Sequence, residues 1–321
     1  MKKMLCALRA CILAALAPMG ALAEEVEVAE AGEWIEYISM DDVLVSEVEE
    51  PTPADELSDN WWNILLLGCD NRSTNDYSRT DSMIILSVNA ATRQVKMTSL
   101  MRDTWVTVPG QKGHRKLTEL CAVGGPELTI RAVNESYGLN IENYVLISMN
   151  GIAEIIDLLG GIELDVTEAE RKALNKGLFD LSPLSGMEKL EKSGEQVHLN
   201  GNQAVAFARI RNIDSDFVRT ERQRTVLMTL AKKILSGTDT GTIFTVVSTL
   251  LDYVDTNLGL LEVMSLADVA FSLDLDSVGE LRLPADGTYD AGTFDGVWCI
   301  KPNFKKNTNI LHDFIYGEGD S

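Results

Sequence analysis

The chain has 321 residues, of which 28 are Lys or Arg and 49 are Asp or Glu, giving a formal net charge of −21 at pH 7. The length is ample for a buried core, and 45% hydrophobic with 24% charged residues is ordinary for a globular protein, which excludes a disordered chain and a multispan membrane protein. The acidity argues against general nucleic-acid binding, because that function needs a basic surface that displaces phosphate counterions.

Residues 1–23 have the pattern of an export signal. Lys2 and Lys3 provide a positive start, Ala10 to Leu16 is a short apolar run, and Ala21-Leu22-Ala23 has the small-x-small form of a cleavage site. The alternative is an uncleaved membrane anchor, but the apolar run is well short of the roughly 20 residues that span a bilayer. We therefore expect a cleaved signal and a location outside the cytoplasm.

An acidic segment follows the predicted signal. Residues 24–60 contain fourteen acidic residues and no Lys or Arg, which is typical of a repelling, extended linker. We expect one folded domain over residues 61–321. After signal removal the cysteines are Cys69, Cys121 and Cys299, an odd number that does not indicate a disulfide scaffold. The three histidines are scattered, so a His-based metal site is not expected.

Three apolar runs predict neighbouring strands that run up, down and up. They are Asn63 to Gly68, Met83 to Val88, and Val95 to Leu100, with a turn between the second and third. The end of the first, the start of the second and the end of the third then lie at one edge of a sheet, where ligands of α/β proteins commonly bind. This edge collects Asp70, Arg79, Asp81, Arg102 and Asp103, with Arg72 in the connecting loop.

The next segments alternate between helix and strand patterns. Helices are predicted over Lys116 to Val123, Pro126 to Tyr137 and Ile152 to Leu159, with strands at Tyr144 to Ser148 and Ile162 to Val166. This alternation predicts a layered α/β/α fold with a central mixed β-sheet. Residues 170–198 are polar and weakly periodic, and we expect them to form a long surface excursion.

A second cationic cluster lies around residues 209–223. Arg209 and Arg211 share one face if the chain is extended there and do not if a helix continues, and the pattern leaves both possibilities open. A helix is predicted from Phe217 to Leu235, and its apolar stripe continues backward through Gln223 and Arg219, with Arg222 beside them. Cations at a helix start oppose the dipole, which is reasonable where an anion binds. Alternatively, they pair with Asp214, Asp216 and Glu221 on a solvated face.

These residue types suit phosphate chemistry. Paired carboxylates without histidine or thiolate ligands favour Mg²⁺, and the arginines, including Arg72 and Arg222, can make paired hydrogen bonds to phosphate oxygens. Asp70 could instead cap a turn. The sequence has no GxSxG motif and no glycine-rich phosphate loop, and Cys69 has no histidine nearby that would make it a nucleophile.

Seven motifs in this order resemble the LytR-CpsA-Psr family of bacterial envelope proteins. They are Ile64 to Arg72, Arg79 to Met83, Met101 to Thr104, Lys116-Leu117 with Gly124 to Glu127, Gly160 to Val166, Leu199-Asn200-Gly201 through Arg211, and Asp216 to Gln223. The resemblance covers roughly residues 61–235 and continues more loosely to about Tyr316. Three features depart from the family pattern, namely Cys69 before the aspartate, the cleavable start and the acidic linker.

The resemblance implies a phosphotransferase that moves a glycopolymer, such as wall teichoic acid or capsular polysaccharide, from an undecaprenyl-pyrophosphate carrier to peptidoglycan. It implies that Asp70 and Asp81 hold Mg²⁺ and that Arg79, Arg102, Arg209, Arg211 and Gln223 contact the pyrophosphate, with Lys116 and Arg219 as further candidates. Asp103 would orient Arg102 or help to deprotonate the acceptor. An apolar pocket for the lipid is implied, and apolar side chains of residues 126–159 would line it or form ordinary core. Membrane association would come through the lipid substrate or an uncleaved signal.

Two other functions fit the same residues. A hydrolase would cleave polyprenyl pyrophosphates with water, and a non-catalytic protein would bind the lipid or a wall polymer. The sequence does not separate them from the transferase.

Overall fold

The computed structural model describes residues 60–69, 77–181, 188–211, 213, 216–235, 253–272, 278–294 and 296–317. The predicted signal at 1–23 and the predicted linker at 24–60 lie outside these ranges, apart from Asn60. The signal, the linker and the boundaries at 23 and 60 therefore stay predictions. Among the helices in the described ranges, none combines the length and the hydropathy that a bilayer span requires.

The first three strands form the antiparallel centre of the main sheet. They are β1 (Trp61–Cys69), β2 (Thr80–Asn89) and β3 (Gln94–Leu100). Both β1 and β3 pair antiparallel with β2. Most residues of β1 are buried, as expected for a strand covered on both faces. The predicted up, down and up course is confirmed.

Three further strands make the sheet six-stranded and mixed. These are β6 (Asn143–Ser148), β9 (Val254–Thr256) and β10 (Gly279–Leu283). The strand order is β10-β3-β2-β1-β6-β9, in which β10 is parallel to β3 and β6 is parallel to β1, whereas β9 is antiparallel to β6. Parallel neighbours need long crossovers, and the helices of the protein supply them.

Seven helices surround the sheet in the described ranges. They are α1 (Leu117–Tyr137), α2 (Met149–Leu158), α3 (Glu168–Leu181), α4 (Gly201–Ala208), α5 (Asp216–Leu235), α6 (Leu260–Ser272) and α7 (Phe304–Tyr316). Neighbouring residues of β3 show the layering, because adjacent side chains of a strand point to opposite faces. Leu100 packs in the core that contains Val133 of α1 and Leu311 of α7, whereas Ser99 accepts a hydrogen bond from Arg224 of α5. The α/β/α prediction is confirmed.

The glycine pair in α1 breaks that helix. Gly124 and Gly125 have non-helical dihedrals, and Gly125 has a positive φ of 75°, which glycine adopts without strain. Pro126 then begins the second segment, where a missing N–H costs little. The predicted pair of helices on either side of Gly124-Gly125 is confirmed.

The predicted surface excursion at 170–198 is wrong. Much of this stretch is α3, and its end is β8 (Gly194–Leu199), which pairs antiparallel with β7 (Ile162–Val166). Leu174 and Leu178, one helical turn apart, are buried in a core with Val226 of α5. Two well-spaced leucines are therefore enough to dock a helix whose other residues are mostly polar.

Two small hairpins lie beside the main sheet. β4 (Trp105–Thr107) pairs with β5 (His114–Lys116), and β11 (Tyr289–Phe294) pairs with β12 (Val297–Pro302). A parallel bridge between Thr104 and Ile300 joins the two hairpins. The C-terminal third of the chain is thereby tied to the segment that follows β3.

Candidate functional site

Strand ends place the first group of polar residues at one edge of the sheet. Asp81 is the second residue of β2, and Arg102 and Asp103 follow the last residue of β3. Since β2 runs opposite to β1 and β3, these positions meet at the edge predicted from the strand pattern. Asp70 and Arg72 lie outside the described residues, and their predicted roles stay predictions.

A cavity of about 410 Å³ opens at this edge. In the part of the chain that the structure describes, the polar lining of this cavity consists of five arginines, one carboxylate and one amide. These are Arg79, Asp81, Arg102, Arg209, Arg211, Arg219 and Gln223. Cations so outnumber the single carboxylate that the cavity suits a ligand with several negative charges.

Asp81 is the carboxylate that the arginines surround. Its Oδ1 accepts a hydrogen bond of 2.6 Å from Nη1 of Arg102, and its Oδ2 lies 3.6 Å from Nη2 of Arg211. Burial alone would raise the pKa of Asp81, but the Arg102 hydrogen bond and the charges of Arg102, Arg211 and Arg219 outweigh burial and lower it below the ordinary 3.8. Asp81 is therefore ionised at neutral pH and acts as an anchor for guanidinium groups.

Asp103 holds Arg102 from the other side. It is buried, its Oδ2 lies 3.4 Å from Nε of Arg102, and its Oδ1 lies 2.8 Å from Nζ of Lys116. Arg102 is thus fixed between two carboxylates, one at each end of its guanidinium. Lys116 belongs to this support and is not among the cavity-lining residues.

Helix α5 supplies the buried floor of the site. Arg219 and Gln223, one turn apart, are 2% and 7% exposed and line the cavity. Nε2 of Gln223 lies 3.5 Å from the backbone oxygen of Asp81. The inward stripe predicted from spacing therefore faces the cavity.

Arg222 has a different environment from Arg219. Its Nε donates to Oε1 of Glu170 on α3 at 2.9 Å, and its guanidinium carbon lies 5.8 Å from the Phe207 ring centroid. It is not among the cavity-lining residues. Glu170 is thus an acidic partner of Arg222. Asp214 and the side chain of Asp216, which the alternative prediction named as partners, lie outside the described residues.

The arrangement of Arg209 and Arg211 is resolved by the end of α4. The helix begins with a capping box at Asn200 and Gln203 and ends at Ala208, and Arg209 is its C-cap. The chain then leaves the helix, and both arginines line the same cavity. The alternative in which a continuing helix separates them does not occur.

One side of the cavity is an apolar wall that was not predicted from the sequence. This wall consists of Met149, Ala173, Gly177, Ala206 and Ile210. Ala173 and Gly177 lie one turn apart on α3, and a Cβ added at Gly177 would meet no atom within 4 Å. In the sequence, Ala173 precedes the buried Leu174 and Gly177 precedes the buried Leu178. This pairing could have indicated the wall, but we expected no helix over these residues.

The three cysteines of the described ranges lie in the protein interior. Cys69, Cys121 and Cys299 are buried thiols. Burial, followed by the influence of Cys69, Glu127 and Asp255, raises the pKa of Cys121 to about 12.

Within the described ranges, no three His, Cys, Asp or Glu side chains group together as a metal site. Asp81 faces the cavity, and the backbone of Cys69, which precedes Asp70, pairs with that of Thr80, which precedes Asp81. Such oxygen donors fit Mg²⁺ better than a softer metal.

The fold and the cavity define an α/β protein with an arginine-rich anion site at the end of its central sheet. The LytR_cpsA_psr family model matches residues 37–313. The chain belongs to the LytR-CpsA-Psr family.

Individual relatives extend this comparison. The chain is 36% identical over 173 residues to the polyisoprenyl-teichoic acid–peptidoglycan teichoic acid transferase TagU of Oceanobacillus iheyensis, covering 51% of this chain and 49% of the relative. It is 28% identical over 260 residues to the regulatory protein MsrR of Staphylococcus aureus strain COL, covering 79% and 74%. The structure of TagT bound to LIIa-WTA has a TM-score of 0.64 at 24% identity, covering 85% of this chain and 95% of that chain, and it shows the same fold.

Proposed function

We propose that this protein transfers a glycopolymer, such as a teichoic acid, from a polyprenyl-pyrophosphate carrier to peptidoglycan outside the cytoplasm. The observation that carries the proposal is the cavity at the sheet edge, which five arginines and Asp81 line together. The name of the TagU relative, which contains both a polyisoprenyl-linked teichoic acid and peptidoglycan, supports the choice of donor and acceptor.

The donor pyrophosphate occupies the arginine-lined cavity in this proposal. A pyrophosphate carries its charge on several oxygens, and planar guanidinium groups can each hydrogen-bond two of them. Arg219 and Gln223 are buried on α5, so their positions are set before the ligand arrives. Preorganised cations of this kind stabilise the charge that develops on the departing phosphate.

Asp70 and Asp81 would hold Mg²⁺ beside the pyrophosphate. Bound Mg²⁺ would polarise a phosphoryl oxygen and neutralise charge on the leaving group. Among the described residues that line the cavity, Asp81 is the single carboxylate, and hard oxygen donors are the ligands that this ion prefers.

Asp103 acts as a positioning residue. It is 5% exposed and already faces two cations, Arg102 and Lys116. A carboxylate that contacts both cations holds the guanidinium of Arg102 in place. Of the two roles that the resemblance implies for Asp103, its geometry favours the orientation of Arg102.

The transfer step exchanges the phosphoanhydride bond of the donor for a phosphate ester bond to the acceptor. The oxygen of a peptidoglycan hydroxyl bonds to the phosphorus nearest the glycopolymer, and the bond from that phosphorus to the bridging oxygen breaks. Polyprenyl phosphate departs and takes up the proton that the hydroxyl loses. The products are a phosphodiester between glycopolymer and peptidoglycan and the lipid monophosphate.

A product assay tests this proposal. The purified full chain is incubated with a polyprenyl-pyrophosphate oligosaccharide, MgCl₂ and peptidoglycan oligomers, and the products are identified by mass spectrometry. We expect equal amounts of phosphodiester adduct and polyprenyl phosphate. The adduct should disappear with EDTA and in Arg209→Ala, and it should persist in Arg131→Ala, which removes an exposed arginine of α1 outside the cavity.

Two outcomes would replace the proposal. Sugar phosphate released without an adduct would indicate a hydrolase that uses water in place of the acceptor. A chain that binds the polyprenyl substrate tightly and releases no product would be a non-catalytic binding protein.

A further inference from the structure

The hairpin of β11 and β12 lies directly beside the site. The backbone N–H of Ile300 donates to the carbonyl oxygen of Asp103 at 2.9 Å, and Thr104 forms a parallel bridge with Ile300. Cys299 and Ile300 are almost completely buried. The position of β12 is therefore fixed relative to the carboxylate that supports Arg102.

Trp298, which precedes these buried residues, is 48% exposed. Nζ of Lys116 lies 5.8 Å from the centroid of its ring, and the same ammonium lies 2.8 Å from Oδ1 of Asp103. Two ion pairs, from Lys116 to Asp103 and from Asp103 to Arg102, thus connect the exposed ring to the cavity lining. An indole left half in water on a rigid strand beside a site is typical of a ligand-contacting surface.

Trp298 lies outside the place assigned to the donor. Neither Trp298 nor Lys116 is among the cavity-lining residues, whereas Arg102 is. A ligand on Trp298 would therefore approach the pyrophosphate from the Asp103 side. The transfer step requires a second substrate beside the first, since the acceptor hydroxyl must reach phosphorus.

The surroundings of Trp298 suit a sugar better than a hydrocarbon chain. Lys116 is adjacent to it, and β5 also carries the exposed side chains of His114 and Arg115. Desolvating these groups against a lipid tail would cost free energy. A saccharide ring presents apolar C–H faces to an aromatic ring and hydroxyl edges to polar neighbours, so it matches an indole bordered by cations.

We propose that Trp298 is an acceptor platform, on which one sugar ring of the peptidoglycan glycan strand stacks while a nearby hydroxyl reaches the donor phosphorus. This inference rests on the proposed transferase function for the acceptor's identity. The platform is the exposed ring of Trp298 together with Lys116. Its role is binding, because Trp298 is not among the residues that line the proposed pyrophosphate site.

Kinetics in the transfer assay provide the first test. Trp298→Ala should raise the KM for peptidoglycan oligomers about tenfold, the size expected for the loss of one aromatic stack. The kcat, the donor KM and any cleavage of the donor by water should stay within twofold of the wild type. Trp298→Phe, which keeps an aromatic face, should recover most of the affinity. The control is Val297→Ala, which removes an exposed side chain from the opposite face of the same hairpin.

Co-sedimentation with purified insoluble peptidoglycan separates this inference from the transferase proposal. Trp298→Ala should pellet several-fold less than the wild type and Val297→Ala should not, whether or not transfer occurs. Equal pelleting of Trp298→Ala and wild type would overturn the platform, as would a raised donor KM with an unchanged acceptor KM. Weaker binding of Trp298→Ala to phospholipid vesicles with unchanged peptidoglycan binding would also overturn it and assign the ring to a membrane contact.

Discussion

Arg224 of α5 donates from Nη1 to Oγ of Ser99 in β3 at 2.8 Å, and this bond joins the helix of the cavity floor to the strand that precedes Arg102. The same guanidinium pairs with Glu280 of β10 through a distance of 2.7 Å from Nε. Arg224 is 6% exposed, whereas the Glu280 side chain is 45% exposed. The buried bond to Ser99 should therefore matter more than the ion pair.

We expect Arg224→Met to lower the free energy of unfolding by about 1–3 kcal/mol, because Ser99 loses its donor inside the protein. Glu280→Gln should cost less than about 1 kcal/mol, since a half-exposed ion pair is screened by water. Urea unfolding of both variants measures the difference. Equal losses in the two variants would contradict the assignment.

Arg102 is fixed by two carboxylates, and this geometry needs a guanidinium. A lysine has one nitrogen and cannot contact Asp81 and Asp103 while also facing a phosphate. We expect Arg102→Lys to reduce the transfer rate by about 100-fold, as for other lost oxyanion contacts. Initial rates compared with Arg131→Lys, a control on the exposed side of α1, give the measurement. Rates within threefold of the wild type would remove Arg102 from the catalytic set.

The lowered pKa of Glu170 predicts how the free energy of unfolding depends on pH. Burial raises its pKa, but hydrogen bonds from Thr167 and Arg222 and the charge of Arg222 lower it below the ordinary 4.5. Because the pKa is lower in the folded protein, the contribution of Glu170 to the free energy of unfolding is complete above pH 4.5, its ordinary pKa. This contribution is lost as the pH falls toward the pKa of Glu170 in the folded protein. Glu170→Gln should therefore be less stable than the wild type at pH 7, and the gap should narrow below pH 4.5. Urea unfolding between pH 3 and 7 measures it, and a gap independent of pH would contradict the assignment.

Cys121 should be inert to thiol reagents in the native protein. It is fully buried, and its pKa is raised to about 12, so the thiolate that reacts is scarce at pH 8. We expect iodoacetamide to modify Cys121 only after unfolding, as shown by peptide mapping with mass spectrometry. Rapid modification of the native protein at this residue would show that α1 opens.

Close backbone packing predicts that Gly201 cannot be replaced by a residue with a Cβ without loss of stability. A Cβ on Gly201 at the start of α4 would clash with the carbonyl oxygen of Ala153 in α2. Gly201→Ala should thus destabilise the protein by more than about 2 kcal/mol, because backbone has to move. Gly177→Ala in the middle of α3, where the space is open, should be neutral or stabilising by up to about 1 kcal/mol. Thermal melts of the pair test the contrast.

The sequence predicts the sheet edge well because strand direction depends on short-range patterns. The three apolar runs and their turn placed Asp81, Arg102 and Asp103 together, as observed. The environment of Arg222 could not be predicted, because its partner Glu170 lies on a helix with only two strong apolar signals. Helical spacing places Arg219 and Arg222 next to each other on α5. Their environments differ because Arg219 lines the cavity, whereas Arg222 pairs with Glu170 of α3.

Strand β10 borders β3, and α7 packs in the core beneath the same sheet. The central sheet is therefore completed by a strand that is far from β3 in sequence, and a nascent chain that lacks β10 leaves the edge of β3 uncovered. Such distant pairings form slowly, so much of the polypeptide can leave the ribosome before the domain closes. This timing suits the proposed export, because a chain that crosses a membrane unfolded must not complete its core too early.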